Sequence, residues 1–240
     1  LRIALISDIH GNAVALDAVL EDVKKQNVDQ IFVLGDLCFR GPEPKRALEL
    51  VRSLGVVVIK GNADEWIVRG VKQGEVPDHM LSIMQKEQEW GASKLDEDDL
   101  NYLSHLPTGY QLQVDDSMIK LFHATPESLF DIVPSDSKDD TIYDHFHLEG
   151  PENVYVYAHI HTAFIRFIKG NLIMNTGSVG LPFDGVAKAS YGLLDIADGN
   201  ISGRIIKVPY DIEKVVKQYQ SFGYPNAEMM IDTIRQGRLG

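Results

Sequence analysis

A chain of 240 residues can bury a sizeable core in one large domain or two small ones. With 44% apolar and 24% charged residues, it has the balance of a soluble globular protein, not of a disordered or membrane-embedded one. The formal net charge of −12 argues against broad nucleic-acid binding, where Lys and Arg neutralise phosphates, but leaves room for a small phosphate compound served by bound cations.

Taken in chain order, Arg2–Ser7 (RIALIS) predicts a buried strand. Ala13–Lys25 then places Val14, Ala18, Val19 and Val23 on one helical face. Ile31–Leu34 predicts a second strand, Pro44–Ser53 a second helix and Val56–Ile59 a third strand. This β-α-β-α-β opening implies a parallel sheet with right-handed crossovers. From Asp64 to His105 the pattern is helical, interrupted at Val76-Pro77, with Asp96-Glu97-Asp98-Asp99 as an acidic helix start. Three hairpins come next: Tyr110–Val114 with Met118–Phe122, Phe164–Ile168 with Leu172–Asn175, and Tyr191–Ile196 with Ile201–Val208. Amphipathic helices near Ile212–Phe222 and Ala227–Gln236 complete the pattern.

No linker, repeat or low-complexity tract separates the halves, so the reading is one domain over 1–240 with a helical insertion at about 64–106. A parallel half followed by an antiparallel half predicts an α/β fold of two packed sheets with helices outside them, in four layers α/β/β/α. Cys38 is the only cysteine, which excludes an intramolecular disulfide and a thiolate zinc cluster. The chain shows neither a leader-like apolar segment nor an apolar window near the ~20 residues of a membrane span. A cytoplasmic location, no membrane partner and no nucleic-acid partner are the expectations. The acidic surface and the C-terminal helices leave a homodimer open.

The residues that close each apolar run carry the chemistry. RIALIS is followed by Asp8-Ile9-His10, IFVL by Gly35-Asp36, VVVIK by Gly61-Asn62, IKLF by His123 and VYVYA by His159-Ile160-His161. In open α/β sheets the C-terminal strand edge is where ligands bind. Asp8 and His10 are two apart, as are His159 and His161, and in extended backbone such pairs point to the same side. Each element alone has an ordinary explanation, as a turn, a cap or a hydrogen-bonded core histidine. Their occurrence in order at five strand ends does not. His145 and His147 also spell H-x-H but lie beside Glu149-Gly150-Pro151, outside any apolar run, and read as a solvated helix end.

Mixed nitrogen and oxygen donors suit Mn, Fe, Ni, Co or Zn better than calcium. Seven of them exceed what one ion with open positions needs. Two divalent ions about 3.5–4 Å apart and bridged by a carboxylate fit better.

These residues resemble the calcineurin-like metallophosphoesterases, whose pattern is D-x-H, G-D, G-N-H-[D/E], a lone H, then G-H-x-H. Here the matching segments are SDIHGN, LGD, KGNADE, FHA and AHIH, from Ser7 to His161. NTGSVGLPFDG (Asn175–Gly185) and LNYLSHLP look like the small bacterial and archaeal branch. The resemblance implies that Asp8, His10 and His161 hold one metal, that Asn62, His123 and His159 hold the other, and that Asp36 bridges them. Manganese, iron, nickel or zinc would serve, with magnesium as a further option. It implies hydrolysis of a small phosphate-containing substrate by a metal-bridging water or hydroxide. Gly61 would let the backbone turn at Asn62. Arg40 in GDLCFRG aligns with the arginine of the G-D-x-x-D-R-G version and would clamp a substrate phosphate. Asn12 either faces the site or caps the helix that starts at Ala13.

Two departures are informative. The histidine of G-N-H-[D/E] is Ala63, and the aspartate of D-R-G is Phe39. Both halves of the family's acid dyad are therefore absent, and Asp64 remains to orient a ligand. Loss of a general acid costs roughly 10²–10⁴-fold with a poor leaving group. Phosphodiesters and phosphoanhydrides are thus expected ahead of alkyl monoesters. Three alternatives stay open: a dinucleoside polyphosphate hydrolase, suggested by Arg40; a non-catalytic metal-binding scaffold of the same fold; and, least compatible with the strand-rich second half, an amidohydrolase barrel.

Overall fold

The structure, a computed structural model, describes residues 1–239. Its elements are β1 (Arg2–Ile6), α1 (Ala13–Lys25), β2 (Gln30–Val33), α2 (Pro44–Ser53), β3 (Val57–Val58), α3 (Asn62–Arg69), α4 (Asp78–Ala92), α5 (Glu97–Ser104), β4 (Gly109–Val114), β5 (Ser117–Phe122), α6 (Asp139–Phe146), β6 (Val154–Tyr157), β7 (Phe164–Ile168), β8 (Asn171–Asn175), β9 (Ala189–Ala197), β10 (Asn200–Val208), α7 (Ile212–Ser221) and α8 (Ala227–Gln236). They form two five-stranded sheets, ordered β10-β9-β1-β2-β3 and β4-β5-β6-β8-β7.

Strand alternation explains the layers. On β1, Ile3 and Leu5 face the second sheet while Ala4 and Ile6 face the helices. On β6, Val154 and Val156 face the first sheet while Tyr155 and Tyr157 pack with Phe146 of α6. Both faces of these strands are buried, which is why they read as unbroken apolar runs. The inter-sheet core joins Ile3, Leu5, Phe32, Ile119, Leu121, Val156, Met174 and Leu194. Helices α1 and α2 cover the outer face of the first sheet, and α7 and α8 pack against one another beside Val14 and Leu181. This is the predicted four-layer arrangement.

The expected division into a parallel half and an antiparallel half is corrected. β5, β6 and β8 are parallel neighbours, so the second sheet is mixed. The β9–β10 hairpin leaves that sheet and pairs antiparallel with the free edge of β1, with Ala4 opposite Leu193. All three predicted hairpins form, but hairpin chemistry fixes only local partners and not which sheet a hairpin joins. β1, β2 and β3 each stop one residue short of the predicted C-terminal end, because the chain leaves the ladder there to build the site. Among the described residues no helix is long and apolar enough to cross a membrane.

Candidate metal centre

The segments that follow β1, β2, β3, β5 and β6 bring Asp8, His10, Asp36, Asn62, His123, His159 and His161 to one edge of the sandwich. Backbone bonds stitch the first two loops together past the strand ends: Asp8 N–H donates to Gly35 O (3.1 Å), His10 N–H to Asp36 O (2.9 Å) and Gly11 N–H to Leu37 O (2.8 Å). The glycine-rich segment closes over the other side, where Gly180 N–H and the Ser178 hydroxyl both donate to Asp8 O, at 2.9 and 2.7 Å.

The pairs converge for a reason different from the extended spacing expected. Asp8 and His10 (φ 50° each), Asp36 (59°), His159 (69°) and His161 (55°) all occupy the left-handed region. Each lies beyond its strand, in a conformation that non-glycine residues adopt rarely and at a cost of about 1 kcal/mol or more. Neighbouring backbone bonds hold it there. Asn62 is likewise not on a strand but is the first residue of α3. Gly61 is extended (φ −103°, ψ 173°), so it supplies no unusual turn. Its role is close approach: a Cβ there would stand 2.1 Å from Asp36 Oδ1.

Two donor sets share Asp36. Ligand atoms of Asp8, His10, Asp36 and His161 all lie within 4.8 Å of one another. On the other side, Asn62 Oδ1 lies 2.9 Å from His123 Nε2 and 2.8 Å from His159 Nδ1. Asp36 Oδ2 sits between the sets, 3.5 Å from His10 Nε2 and 3.4 Å from His123 Nε2, while its Oδ1 accepts the Ala63 N–H at 2.8 Å.

The chemistry of these donors fits cations. His10 Nδ1 contacts Phe39 O, His161 Nδ1 contacts Leu181 O and His123 Nδ1 contacts Leu34 O, each at 2.6 Å. A carbonyl only accepts, so each Nδ1 carries a proton; a neutral ring, as at His10, then presents a bare Nε2 lone pair to the centre, and at His123, which Asp36 favours in the charged form, a cation would replace the Nε2 proton. His10 Nε2 and His161 Nε2 are 3.0 Å apart. Two lone pairs at that distance repel unless a positive charge joins them. Asp8 Oδ1, buried and without a hydrogen-bond partner, faces the same space, 3.4 Å from His161 Nε2.

Charge is set by burial and proximity. Burial, then the neighbouring His161, holds His10 down at about 4. Burial, then His123, does the same to His159. Burial opposes ionisation of Asp36, but His123 and its hydrogen bond overcome it and keep the carboxyl below the ordinary range. Asp8 is lowered in the same way, with burial opposed chiefly by His161. For His123 burial is outweighed by Asp36, which lifts it to about 9. Asp64 is pushed up to about 7 by burial and then by the Asp36 charge, against three backbone N–H groups that bond its two oxygens.

The other predicted residues are placed differently. Asn12 caps α1, its Oδ1 accepting from Ala15 N–H (3.0 Å) and its Nδ2 donating to Gly180 O (3.1 Å), so both polar atoms are engaged. Arg40 is turned toward the helices. Its Nε lies 3.4 Å from Oε2 of Glu87 on α4, its Nη2 lies 3.8 Å from Met229 Sδ on α8, and its carbonyl accepts the Tyr219 hydroxyl at 2.7 Å. Glu87 is fully buried and needs a cation beside it, which is the physical reason Arg40 turns toward the helices. His145 is exposed and His147 ends α6 in the left-handed conformation, near Glu127 and Glu149.

Sequence reading missed three supports. Ser7 Oγ lies 2.8 Å from Asp8 Oδ2, Ser178 holds the Asp8 carbonyl, and the Phe183 ring stacks on His161 with centroids 4.3 Å apart. Ser7 was visible as a polar residue closing an apolar run; the other two carry no signal beyond membership of the glycine-rich segment.

That segment makes a prediction. A Cβ on Gly180 would stand 1.9 Å from Ile9 O, between the two ligands of the first loop. Gly180→Ala is expected to destabilise the protein by about 3 kcal/mol in urea unfolding. It should also weaken Mn²⁺ binding in calorimetry by about tenfold or more, since tuning of ligand orientation is worth that much.

Comparison with known proteins points one way. A family model described as the calcineurin-like phosphoesterase superfamily domain matches residues 1–199. An uncharacterized protein of Methanocaldococcus jannaschii is 31% identical over 237 residues, covering 90% of either chain. A symmetrical bis(5'-nucleosyl)-tetraphosphatase of Pectobacterium carotovorum is 32% identical over 133 residues, 51% of this chain and 43% of its own, so the chain matches less than half of that relative. Among solved structures, a metallophosphoesterase from Sphaerobacter thermophilus superposes with a TM-score of 0.77 at 25% identity, covering 99% of both chains. A hypothetical protein from Pyrococcus horikoshii gives a TM-score of 0.84 at 21% identity over 98% of both chains, a likeness of fold alone.

Proposed function

Because this chain belongs to the calcineurin-like phosphoesterase superfamily, we propose that it is a binuclear metal-dependent phosphoesterase acting on phosphodiesters or nucleotide-type phosphates. Asp8, His10 and His161 would hold one divalent ion and Asn62, His123 and His159 the other, with Asp36 shared. The observation that carries the reading is Asp36 Oδ2, placed between the two donor sets at 3.5 and 3.4 Å from their histidines. Bound ions would supply Lewis acidity to the phosphoryl oxygens and acidify the attacking water.

The protein's own residues orient this chemistry. Backbone carbonyls of Leu34, Phe39 and Leu181 fix the tautomer of three histidines, and the Ala63 N–H fixes the rotation of the Asp36 carboxylate. The preference for diesters is supported by what stands where the family pattern has an acid dyad. Phe39 and Ala63 are both buried, and the Phe39 ring packs edge-on to Trp66 with centroids 5.9 Å apart. An apolar wall donates no proton to a leaving group, so substrates whose leaving group departs as a stable anion are favoured.

A dinucleoside tetraphosphate is the second substrate considered, on the half-length similarity to a tetraphosphatase. The engagement of Arg40 by Glu87 counts against it. A panel of bis(p-nitrophenyl) phosphate, glycerol 2-phosphate and diadenosine tetraphosphate with Mn²⁺, Ni²⁺ or Mg²⁺ decides. Aryl diester turnover at least about tenfold above that of the alkyl monoester is expected, because the general acid that a poor leaving group needs is missing. Turnover of none of them with metals bound would instead identify a non-catalytic scaffold.

A further inference from the structure

Beside the metal centre lies a cavity of about 360 Å³. Ile132, Ser135, His159, Ile160, Thr162 and Phe183 line it. Two of these belong to the metal centre as well: His159 is within 2.8 Å of Asn62 Oδ1, and Phe183 lies flat on the His161 ring. The cavity therefore opens against the side chains that would hold the ions.

Its chemistry is the opposite of theirs. Apart from His159, no lining residue carries an ionisable group, and Ile132, Ile160 and Phe183 are large and apolar. Ile132 is 71% exposed, and Ile160 and Phe183 are only partly covered. The fold gains nothing by presenting such surface to water next to a polar centre, and a concave apolar patch of this kind marks a ligand site. The walls are held in place. The Tyr157 hydroxyl donates to Val133 O at 2.9 Å, anchoring the segment that carries Ile132 and Ser135. Phe183 N–H donates to His161 O at 3.1 Å. The volume lies at the small end of the roughly 300–1,000 Å³ seen for ligand pockets. It suits one ring system, not a second phosphate, which would find no cation there.

We propose that this cavity is the subsite for the uncharged ring of the substrate, a nucleobase or its aryl equivalent, seated against Phe183 and His159 while the phosphate occupies the metal centre. The rings of Phe183 and His159 offer π-faces, on which any base stacks without regard to sequence. Ser135 provides a hydroxyl for the ring edge, and Thr162, whose hydroxyl donates to Ile160 O at 3.3 Å, provides an acceptor. This inference rests on the phosphoesterase reading for the phosphate half alone.

The test separates the two. Adenosine, which lacks a phosphate, is titrated calorimetrically into the Mn²⁺-loaded protein, and its inhibition of bis(p-nitrophenyl) phosphate hydrolysis is measured in parallel with that of inorganic phosphate. Ser135→Trp fills the cavity, and Ile132→Asp places a carboxylate on its exposed rim without touching the core. Each variant is expected to weaken adenosine binding about tenfold, the worth of one stacked base. Neither is expected to change inhibition by inorganic phosphate or Mn²⁺ affinity. Adenosine binding that is absent in the wild type, or equal in wild type and both variants, overturns the subsite even if diesters are hydrolysed. Adenosine binding that the variants abolish, in a protein that hydrolyses no ester, upholds the subsite and overturns the phosphoesterase reading.

Discussion

Asp36→Asn is expected to lower diester hydrolysis by at least about 10³-fold, equivalent to losing about 4 kcal/mol of charge stabilisation. The Ala63 N–H requires an oxygen at the Oδ1 position, so the new amide nitrogen would face His10 and His123. It would donate hydrogen bonds to the very lone pairs that are offered to cations. Metal affinity in calorimetry should fall at both sites together, because the proposed centre shares Asp36 between them. Folding should survive, since a buried carboxylate is exchanged for a neutral group of the same shape. A variant that kept wild-type turnover with two ions bound would remove Asp36 from the shared position.

Asp64→Ala is expected to act through stability, lowering it by about 4 kcal/mol. The Asp64 carboxylate is fully buried; its Oδ2 accepts from Asp36 N–H (2.8 Å) and Gly61 N–H (2.9 Å), and its Oδ1 from Leu37 N–H (2.8 Å). Alanine leaves three buried donors without partners. For a chain of this size the melting temperature should fall by roughly 10–15 °C. A shift below about 2 °C would show that these turns are held by something else, since it corresponds to under 1 kcal/mol. The same bonds count against Asp64 as a stand-in for the general acid of the family pattern. Its pKa is pushed up to about 7 by burial and Asp36, yet both oxygens are committed to backbone donors.

The site was legible in the sequence because every donor ends an apolar run, and an apolar run ending in a charged or polar residue is a departure that needs a cause. Asp8, His10, Asp36, Asn62, His123, His159 and His161 all gather where that reasoning put them. The mechanism of gathering was not legible: left-handed backbone at five of them depends on bonds from loops distant in sequence, which no local pattern records. The ion pair of Arg40 was not legible either. Its motif neighbours promised a phosphate, but the residue that engages it, Glu87, looks in sequence like one more polar position of a charged helix. The fold shows the same boundary. Alternation and turn residues gave strands and hairpins, while the pairing of β9 with β1 depends on which sheet edge is left bare.

That pairing bears on how the chain acquires its shape during synthesis. The Ile196 N–H donates to the carbonyl of Leu1 at 2.9 Å, a separation of 195 residues, and the Arg2 and Asp195 side chains join across 193. β1 is made well before β9 and keeps an unpaired edge until β9 has emerged from the ribosome. Such long-range closure slows folding and prolongs exposure of a sticky edge, the situation in which chaperones act. His161 and Gly180 are also late arrivals, so a nascent chain holds only a partial ligand set. Cation capture by the full donor set is thus expected only after the early and late strands have met.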